Sequence, residues 1–385
     1  MLQLPSYLDL KDVPSPCYLL DERKLIKNLE RLKYVKEQAN CTLILALKGY
    51  SMYATFPLVS QYLDGATASS LNEARLSARE FGKQTHVYAP AYLESEVEEL
   101  AALAQHLTFN SLGQYQRFYQ KFKAHNPNLS FGLRINPQYS EVETEMYNPC
   151  IPGSRLGMTS DQIGQMLPEG IEGLHFHTLC EKGPDTLERT LVHVEQKFGH
   201  LLGQIKWLNM GGGHLITRED YDPEHLITIV KQLKSKYPQL EIILEPGSAI
   251  GWQTGYLIAT VEDTFDSQGI EVAILDCSFS AHMPDTLEMP YKPRIYNSYH
   301  EPQKQKPTYR LGGMTCLAGD FMGDYSFDKP LTIGQKIVFD DMIHYTMVKT
   351  TTFNGVNLPA IAIWGTNNQL KIIKTFGYES FIDRL

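Results

Sequence analysis

The sequence predicts an α/β protein, a (β/α)8 TIM barrel followed by a mostly antiparallel β domain. Three observations lead there. Helical and strand-like stretches alternate from residue 21 to about 249. The strand-like runs in that span number eight, the count that closes a barrel, although an open doubly wound sheet fits the alternation too. After Glu245-Pro246-Gly247 the helical periodicity fades and β-rich runs punctuated by Pro and Gly take over.

In chain order, the segment Pro16-Cys17-Tyr18-Leu19-Leu20 is strand-like and fits the β domain. Apolar residues at helical spacing then mark helices over 21–40, 71–81, 95–105, 112–123, 161–167, 186–202 and 223–236. Asp21, Ser70, Ser111 and Ser160 precede such runs, where a short polar side chain caps a helix. The barrel strands fall at 42–47, 63–67, 85–89, 107–110, 130–136, 171–177, 205–210 and 240–245. Runs such as Thr42-Leu43-Ile44-Leu45-Ala46-Leu47 are short and continuously apolar, as in a parallel strand buried on both faces. Beyond them, strands are expected at 256–262, 271–276, 335–340 and 345–352, and a long ordered loop at 284–309. The domain boundaries expected are 21–249 for the barrel and 1–20 plus 250–385 for the β-rich domain.

Composition narrows the function. With 43% hydrophobic and 21% charged residues, the chain is globular. A net charge of -9 and the lack of any Lys/Arg-rich block argue against a nucleic-acid partner. Cys17, Cys41, Cys150, Cys180, Cys277 and Cys316 form no C-x-x-C pair and read as free thiols in a reducing compartment. No apolar stretch reaches transmembrane length and no signal peptide is apparent, so the expected location is cytoplasmic, with no membrane partner.

Chemistry gathers at the strand ends, where barrels of this kind carry their active sites. Lys48 leaves the first barrel strand and is followed by Gly49. A lysine held in a desolvated cavity has a lowered pKa and is free to form an imine with a carbonyl; one that snorkels to the surface does neither. The sixth strand brings His175 and His177, the seventh ends in Gly211-Gly212-Gly213, and the eighth ends in Glu245. In a closed barrel the eighth strand neighbours the first, which puts Glu245 and Lys48 on one pocket. Three glycines suit an anion nest or a flexible turn. No G-x-G-x-x-G or G-K-[ST] is present, which disfavours dinucleotides and nucleoside triphosphates. An imine-forming lysine, a phosphate nest and a carboxylate together suggest pyridoxal 5'-phosphate, with Glu245 on the pyridine nitrogen. His177 suits ring stacking, a metal shared with His175, or the core; an H-x-H on the sixth strand is weak ground for a metal, and none is expected.

These motifs resemble those of the ornithine decarboxylase and alanine racemase superfamily of pyridoxal enzymes. The resemblance runs through Ala46-Leu47-Lys48, His175-Phe176-His177, Gly211-Gly212-Gly213, Glu245-Pro246-Gly247, Gly313-Met314-Thr315-Cys316 and His344-Tyr345-Thr346. Ser154-Arg155-Leu156-Gly157, Ala68-Ser69-Ser70-Leu71-Asn72-Glu73, His282-Met283-Pro284-Asp285, Leu287-Glu288-Met289-Pro290-Tyr291 and Cys316-Leu317-Ala318-Gly319-Asp320 are most similar to its carboxynorspermidine decarboxylase branch. The resemblance implies that Lys48 holds the cofactor, His177 stacks on its ring, Glu245 pairs with the ring nitrogen and Tyr345 contacts the phosphate. It implies a homodimer with shared active sites, in which Cys316 of the second subunit protonates the substrate's α carbon after carbon dioxide leaves. It also implies a cationic polyamine substrate bearing one amino-acid head, whose remaining amines need acceptors. Asp285, Glu288 and Asp320 are the candidates, with His282 nearby, and Arg134 and Arg155 are possible supports of the pocket. Two departures stand out: Ser248 replaces an arginine that follows Glu-Pro-Gly in ornithine decarboxylases, and Thr67 stands where they have an aspartate. Rival readings are a diaminopimelate- or ornithine-type decarboxylase and, outside catalysis, a single-domain pyridoxal-phosphate carrier.

Overall fold

Burial over most of their length is what the barrel strands share. After a first strand, β1 (Cys17–Asp21), come β2 (Thr42–Ala46), β3 (Gly65–Ala68), β4 (Gln84–Tyr88), β5 (His106–Phe109), β6 (Ser130–Arg134), β7 (Ile171–His175), β8 (Trp207–Asn209) and β9 (Glu241–Leu244). The strands β2 to β9 are parallel, each hydrogen-bonded to the next, and β9 returns to β2 with Thr42 opposite Ile243. This is the closed eight-stranded barrel the sequence predicts. Leu43, Ile44, Leu45, Ile242, Ile243 and Leu244 are all fully buried, which accounts for apolar runs without alternation. The computed structural model describes all 385 residues in two units, Asn28–Ile250 and Met1–Lys27 with Gly251–Leu385.

Helices follow the strands as periodicity predicts, and two of the expected caps, Ser70 and Ser111, are in place, while Ser160 lies inside its helix and Thr159 precedes it. Ser70 and Ser111 accept hydrogen bonds from the N–H groups of Glu73 and Gln114. The helix expected over 161–167 is one turn, Ser160–Ile163, because Thr159 and Gln162 form its capping box and Gly164 ends it at φ 82°.

The second unit is the expected β-rich one. It adds β10 (Gly255–Ser267), β11 (Ile270–Leu275), β12 (Ser298–Tyr299), β13 (Thr308–Gly312), β14 (Phe321–Phe327), β15 (Lys336–Asp340), β16 (Ala360–Trp364) and β17 (Leu370–Lys374). The sheet order is β12-β14-β13-β11-β10-β1-β16-β17, with β15 also on β10. All pairs are antiparallel except β11 with β13 and β1 with β16. The sequence reading missed β13, β14, β16 and β17. It also took 345–352 for a strand. That run is a helical turn, Tyr345–Val348, followed by irregular chain. The Lys349 N–H reaches the Tyr345 carbonyl, and the Thr350 hydroxyl reaches the Thr346 carbonyl, so local bonds displace the ladder that a β-branched run suggests. The stretch 284–309 holds a short helix, Pro284–Glu288, and β12. No helix is long and apolar enough to cross a membrane.

Candidate active site

The turn after β2 is shaped by contact with the turn after β9. The Ala46 N–H donates to the Pro246 carbonyl at 2.9 Å. A side chain at Gly49 would put its Cβ 2.9 Å from the Ser248 nitrogen, so only glycine lets the two turns lie flat together. Lys48 and Glu245 are thereby set at one rim of the barrel.

Lys48 reaches solvent through the barrel mouth, yet the protein packed around it desolvates the amine and pushes its pKa below the ordinary lysine value; Glu245 opposes that shift and Arg134 adds to it. Its Nζ lies 3.1 Å from Nε2 of His177. Nδ1 of His177 accepts from the Gly212 N–H at 2.9 Å. Burial, then Lys48 and Arg134, hold the His177 imidazole well below its usual pKa. The ring is therefore neutral, with Nδ1 an acceptor and the proton on Nε2. An Nε2–H aimed at Lys48 needs a lone pair there, which an amine has and an ammonium lacks.

Glu245 is 8% exposed. Burial raises its pKa, while a hydrogen bond from Asn209, the Lys48 charge and a hydrogen bond from Thr67 lower it. Asn209 Nδ2 donates to Oε1 at 2.7 Å, and His175 Nε2 lies 3.8 Å from Oε2. Thr67 thus serves this carboxylate. Arg134 is buried, with its guanidinium 4.5 Å over the Tyr88 ring and Nη2 donating to the His177 carbonyl at 3.3 Å. Arg155 is exposed, and its carbonyl accepts from Asn110 at 2.8 Å.

Of the three N–H groups read as an anion nest, two are spent inside the protein. Gly211 donates to Asn209 Oδ1 at 2.9 Å and Gly212 to His177, which leaves the role to Gly213. Gly211 and Gly213 have φ of 68° and 83°, and a Cβ on Gly212 would meet the Glu245 carbonyl at 2.2 Å.

In the β-rich unit two expectations are corrected. Asp320 is not available to a substrate. Its Oδ1 accepts from the N–H groups of Phe279 (2.7 Å) and Ser280 (3.0 Å), and its Oδ2 from the Thr315 hydroxyl (2.6 Å) and N–H (3.2 Å). Those four bonds satisfy a carboxylate that is 5% exposed. His282 is fully buried, its Nδ1 accepting from the Ser278 N–H at 3.1 Å, so its ring holds the chain turn and faces no cleft. Asp285 and Glu288 lie one helical turn apart and both bond Lys349, Asp285 at 3.0 Å. Cys316 is exposed, and its N–H donates to Asn354 Oδ1 at 2.8 Å. Tyr345 is half-buried beside Lys349, with Nζ 5.6 Å from its ring centroid.

An amine of lowered pKa, a flat imidazole beside it and a buried carboxylate make a donor set that fits an aldehyde on a protonatable heteroaromatic ring. A family model described as pyridoxal-dependent decarboxylase, C-terminal sheet domain, matches residues 17–343. The chain belongs to the pyridoxal-dependent decarboxylases. It is an enzyme of that family, and its cofactor is pyridoxal 5'-phosphate. Among relatives of this decarboxylase, the carboxyaminopropylagmatine decarboxylase of a Synechocystis species is 49% identical over 98% of this chain and 96% of its own. The carboxynorspermidine/carboxyspermidine decarboxylase of Campylobacter jejuni is 44% identical over 96% of this chain and 98% of its own. The crystal structure of carboxynorspermidine decarboxylase from Campylobacter jejuni, complexed with norspermidine, superposes with a TM-score of 0.89 at 42% identity, covering 97% of this chain and 100% of that one.

Sequence reasoning overlooked Asn209 and Lys349. Asn209 carried a signal, as a polar residue in the apolar run Ile205-Lys206-Trp207-Leu208-Asn209-Met210. Lys349 carried none, since its partners lie more than sixty positions away.

Proposed function

We propose that this decarboxylase acts on a carboxylated polyamine, carboxynorspermidine or carboxyspermidine, and releases norspermidine or spermidine. The observation that carries the reading is the full-length likeness to an enzyme crystallised with norspermidine. The bound cofactor supplies an electron sink for the pair left behind by carbon dioxide. Lys48 offers the neutral amine that holds the cofactor's aldehyde carbon. His177 lies against the ring, and Glu245 keeps a proton on the ring nitrogen. Gly213 and Tyr345 are the residues assigned to the phosphate, and Ser248 replaces the arginine in the sequence. Cys316, given by the second subunit of a homodimer, protonates the substrate's α carbon. Asp285 and Glu288 take up a cationic amine of the tail. They already hold the ammonium of Lys349, which supports a role for them in taking up a cation. The free cysteines fit a reducing cytoplasm.

A second substrate is favoured by the 49% identity to the Synechocystis protein. Carboxyaminopropylagmatine ends in a planar guanidinium, which asks for paired acceptors where an ammonium asks for one. The test is carbon dioxide release, with kcat/KM compared across carboxynorspermidine, carboxyspermidine, carboxyaminopropylagmatine, diaminopimelate and ornithine. One of the first two should lead by about tenfold or more. A lead for the agmatine compound installs the second reading. A lead for diaminopimelate or ornithine, or cofactor loading with no turnover, removes both.

A further inference from the structure

His175 is buried at 3% exposure, and neither of its ring nitrogens has a hydrogen-bond partner. It ends β7 in register with Arg134 of β6 and Asn209 of β8, so three polar side chains share one level of the barrel. A buried donor left unmade costs about 1–3 kcal/mol, and a leucine would fill this layer without that cost. One acceptor is within reach. Oε1 of Glu245 is taken by Asn209, while Oε2 faces His175 Nε2 across 3.8 Å. A shift of roughly one ångström by either side chain brings them to hydrogen-bond distance.

We infer that His175 is a positioning residue: as a neutral Nε2–H donor it orients the Glu245 carboxylate and keeps it ionised. The inference rests on the reading of Glu245 as the partner of the cofactor's ring nitrogen. The surroundings fix the protonation state. Lys48 after β2, His86 and Tyr88 on β4 and Arg134 on β6 face the ring, and Glu245 is the one carboxylate within ion-pair range. Burial, Arg134 and Lys48 all oppose an imidazolium. Tyr88 meets the ring edge-on, with centroids 5.3 Å apart, and limits its rotation. Glu245 itself meets Lys48, Thr67, Arg134 and Asn209. Of these neighbours, His175 stands opposite the oxygen that Asn209 does not hold. With that donor in place the carboxylate stays charged and the shared proton stays on the ring nitrogen. Without it, burial draws the proton onto Glu245.

The experiment compares His175→Phe, which keeps a flat ring and loses the donor, with His175→Gln, which restores an N–H. Each holoenzyme is prepared with pyridoxal 5'-phosphate carrying 15N in the ring. In His175→Phe the ring nitrogen signal should move from the protonated toward the unprotonated range. Its kcat should fall about tenfold or more at little change in KM. His175→Gln should restore both, and in a Glu245→Gln background His175→Phe should add nothing. An impaired Glu245→Gln with a wild-type-like His175→Phe overturns the inference alone. A wild-type-like Glu245→Gln removes the reading of Glu245, and the inference falls with it. The tautomer of His175 in unsubstituted, 15N-histidine-labelled protein tests the same point without relying on the variants' folding: Nε2–H is expected, and Nδ1–H overturns it.

Discussion

His177 presents its Nε2 to Lys48 Nζ at 3.1 Å, and the Gly212 N–H on its Nδ1 decides what that nitrogen can offer. Because Nδ1 is committed as an acceptor, the neutral ring donates a hydrogen bond toward Lys48 through Nε2–H and cannot accept one there. The glycine triplet, read from sequence as a cradle for phosphate, thus also sets the state of the lysine.

The first prediction concerns that amine. Its pKa lies below the ordinary lysine value, so the reactive fraction appears at lower pH than for a surface lysine. Cofactor loading of apoprotein should accelerate as pH rises and level off below the range where ordinary lysines deprotonate. Borohydride reduction followed by peptide mapping should place the pyridoxyl group on Lys48. A label on any other lysine sinks the assignment. His177→Phe should slow loading at neutral pH, since the fixed donor is gone.

Glu245→Ala should leave the cofactor bound while the turnover number drops by orders of magnitude. Absorbance of the loaded protein and single-turnover rates separate the two. Unchanged turnover would deny Glu245 its role.

Lys48→Ala and Cys316→Ala proteins, each inactive alone, should regain roughly a quarter of wild-type activity when mixed. About half the dimers are then hybrids, each with one intact site. The products must be followed as well as the rate, because a missing acid misdirects the proton. Proven subunit exchange with no recovered activity would place both residues in one chain's site.

Asp320 ties the Cys316 loop to the start of the helix Phe279–His282 through four hydrogen bonds. Asp320→Asn turns an NH2 group toward two of the four donors, from which it cannot accept. A stability loss of about 1–3 kcal/mol in urea unfolding is expected. Cys316 should also be alkylated at a changed rate, read by mass spectrometry. A variant matching wild type in both measurements would show the tether to be idle.

Acid should weaken the fold through buried histidines. Burial holds His214 and His282 down at about 4 against an ordinary value of 6.5. The unfolded chain takes up protons on both rings below pH 6.5, and the folded chain does so near pH 4. Their contribution is complete above the higher value and is lost as pH falls toward the lower one. The loss is about 1.4 kcal/mol per pH unit for each ring. Urea unfolding at pH 7.5 and about pH 5 measures it, and His214→Phe should flatten the difference. An unflattened slope excludes His214 as a source.

The barrel was legible because its strands are buried on both faces and its helices follow a 3.6-residue period. Lys48, His177 and Glu245 were legible because polar residues at the ends of apolar strands have few other reasons to be there. The β-rich unit was harder. The Thr-rich run after Tyr345 has strand propensity, and local hydroxyl and backbone bonds override it. Asp320 and His282 were misjudged for a related reason. Asp320's partners Phe279 and Ser280 lie about forty positions away, and the burial of His282 is set by the folded sheet.

The strand β1 has β10 on one side and β16 on the other, Cys17 lying opposite both Ile258 and Ala360. The first strand of this sheet in chain order is therefore flanked by one of the last in that order. During synthesis the segment Asn28–Ile250 emerges whole, while Cys17–Asp21 still waits for a partner some 340 positions downstream. Until that partner arrives, the nascent chain carries an open strand edge of Cys17, Tyr18, Leu19 and Leu20, residues that stick to other chains when left uncovered. Covering that edge, and with it finishing the sheet, depends on synthesis reaching Ala360–Trp364.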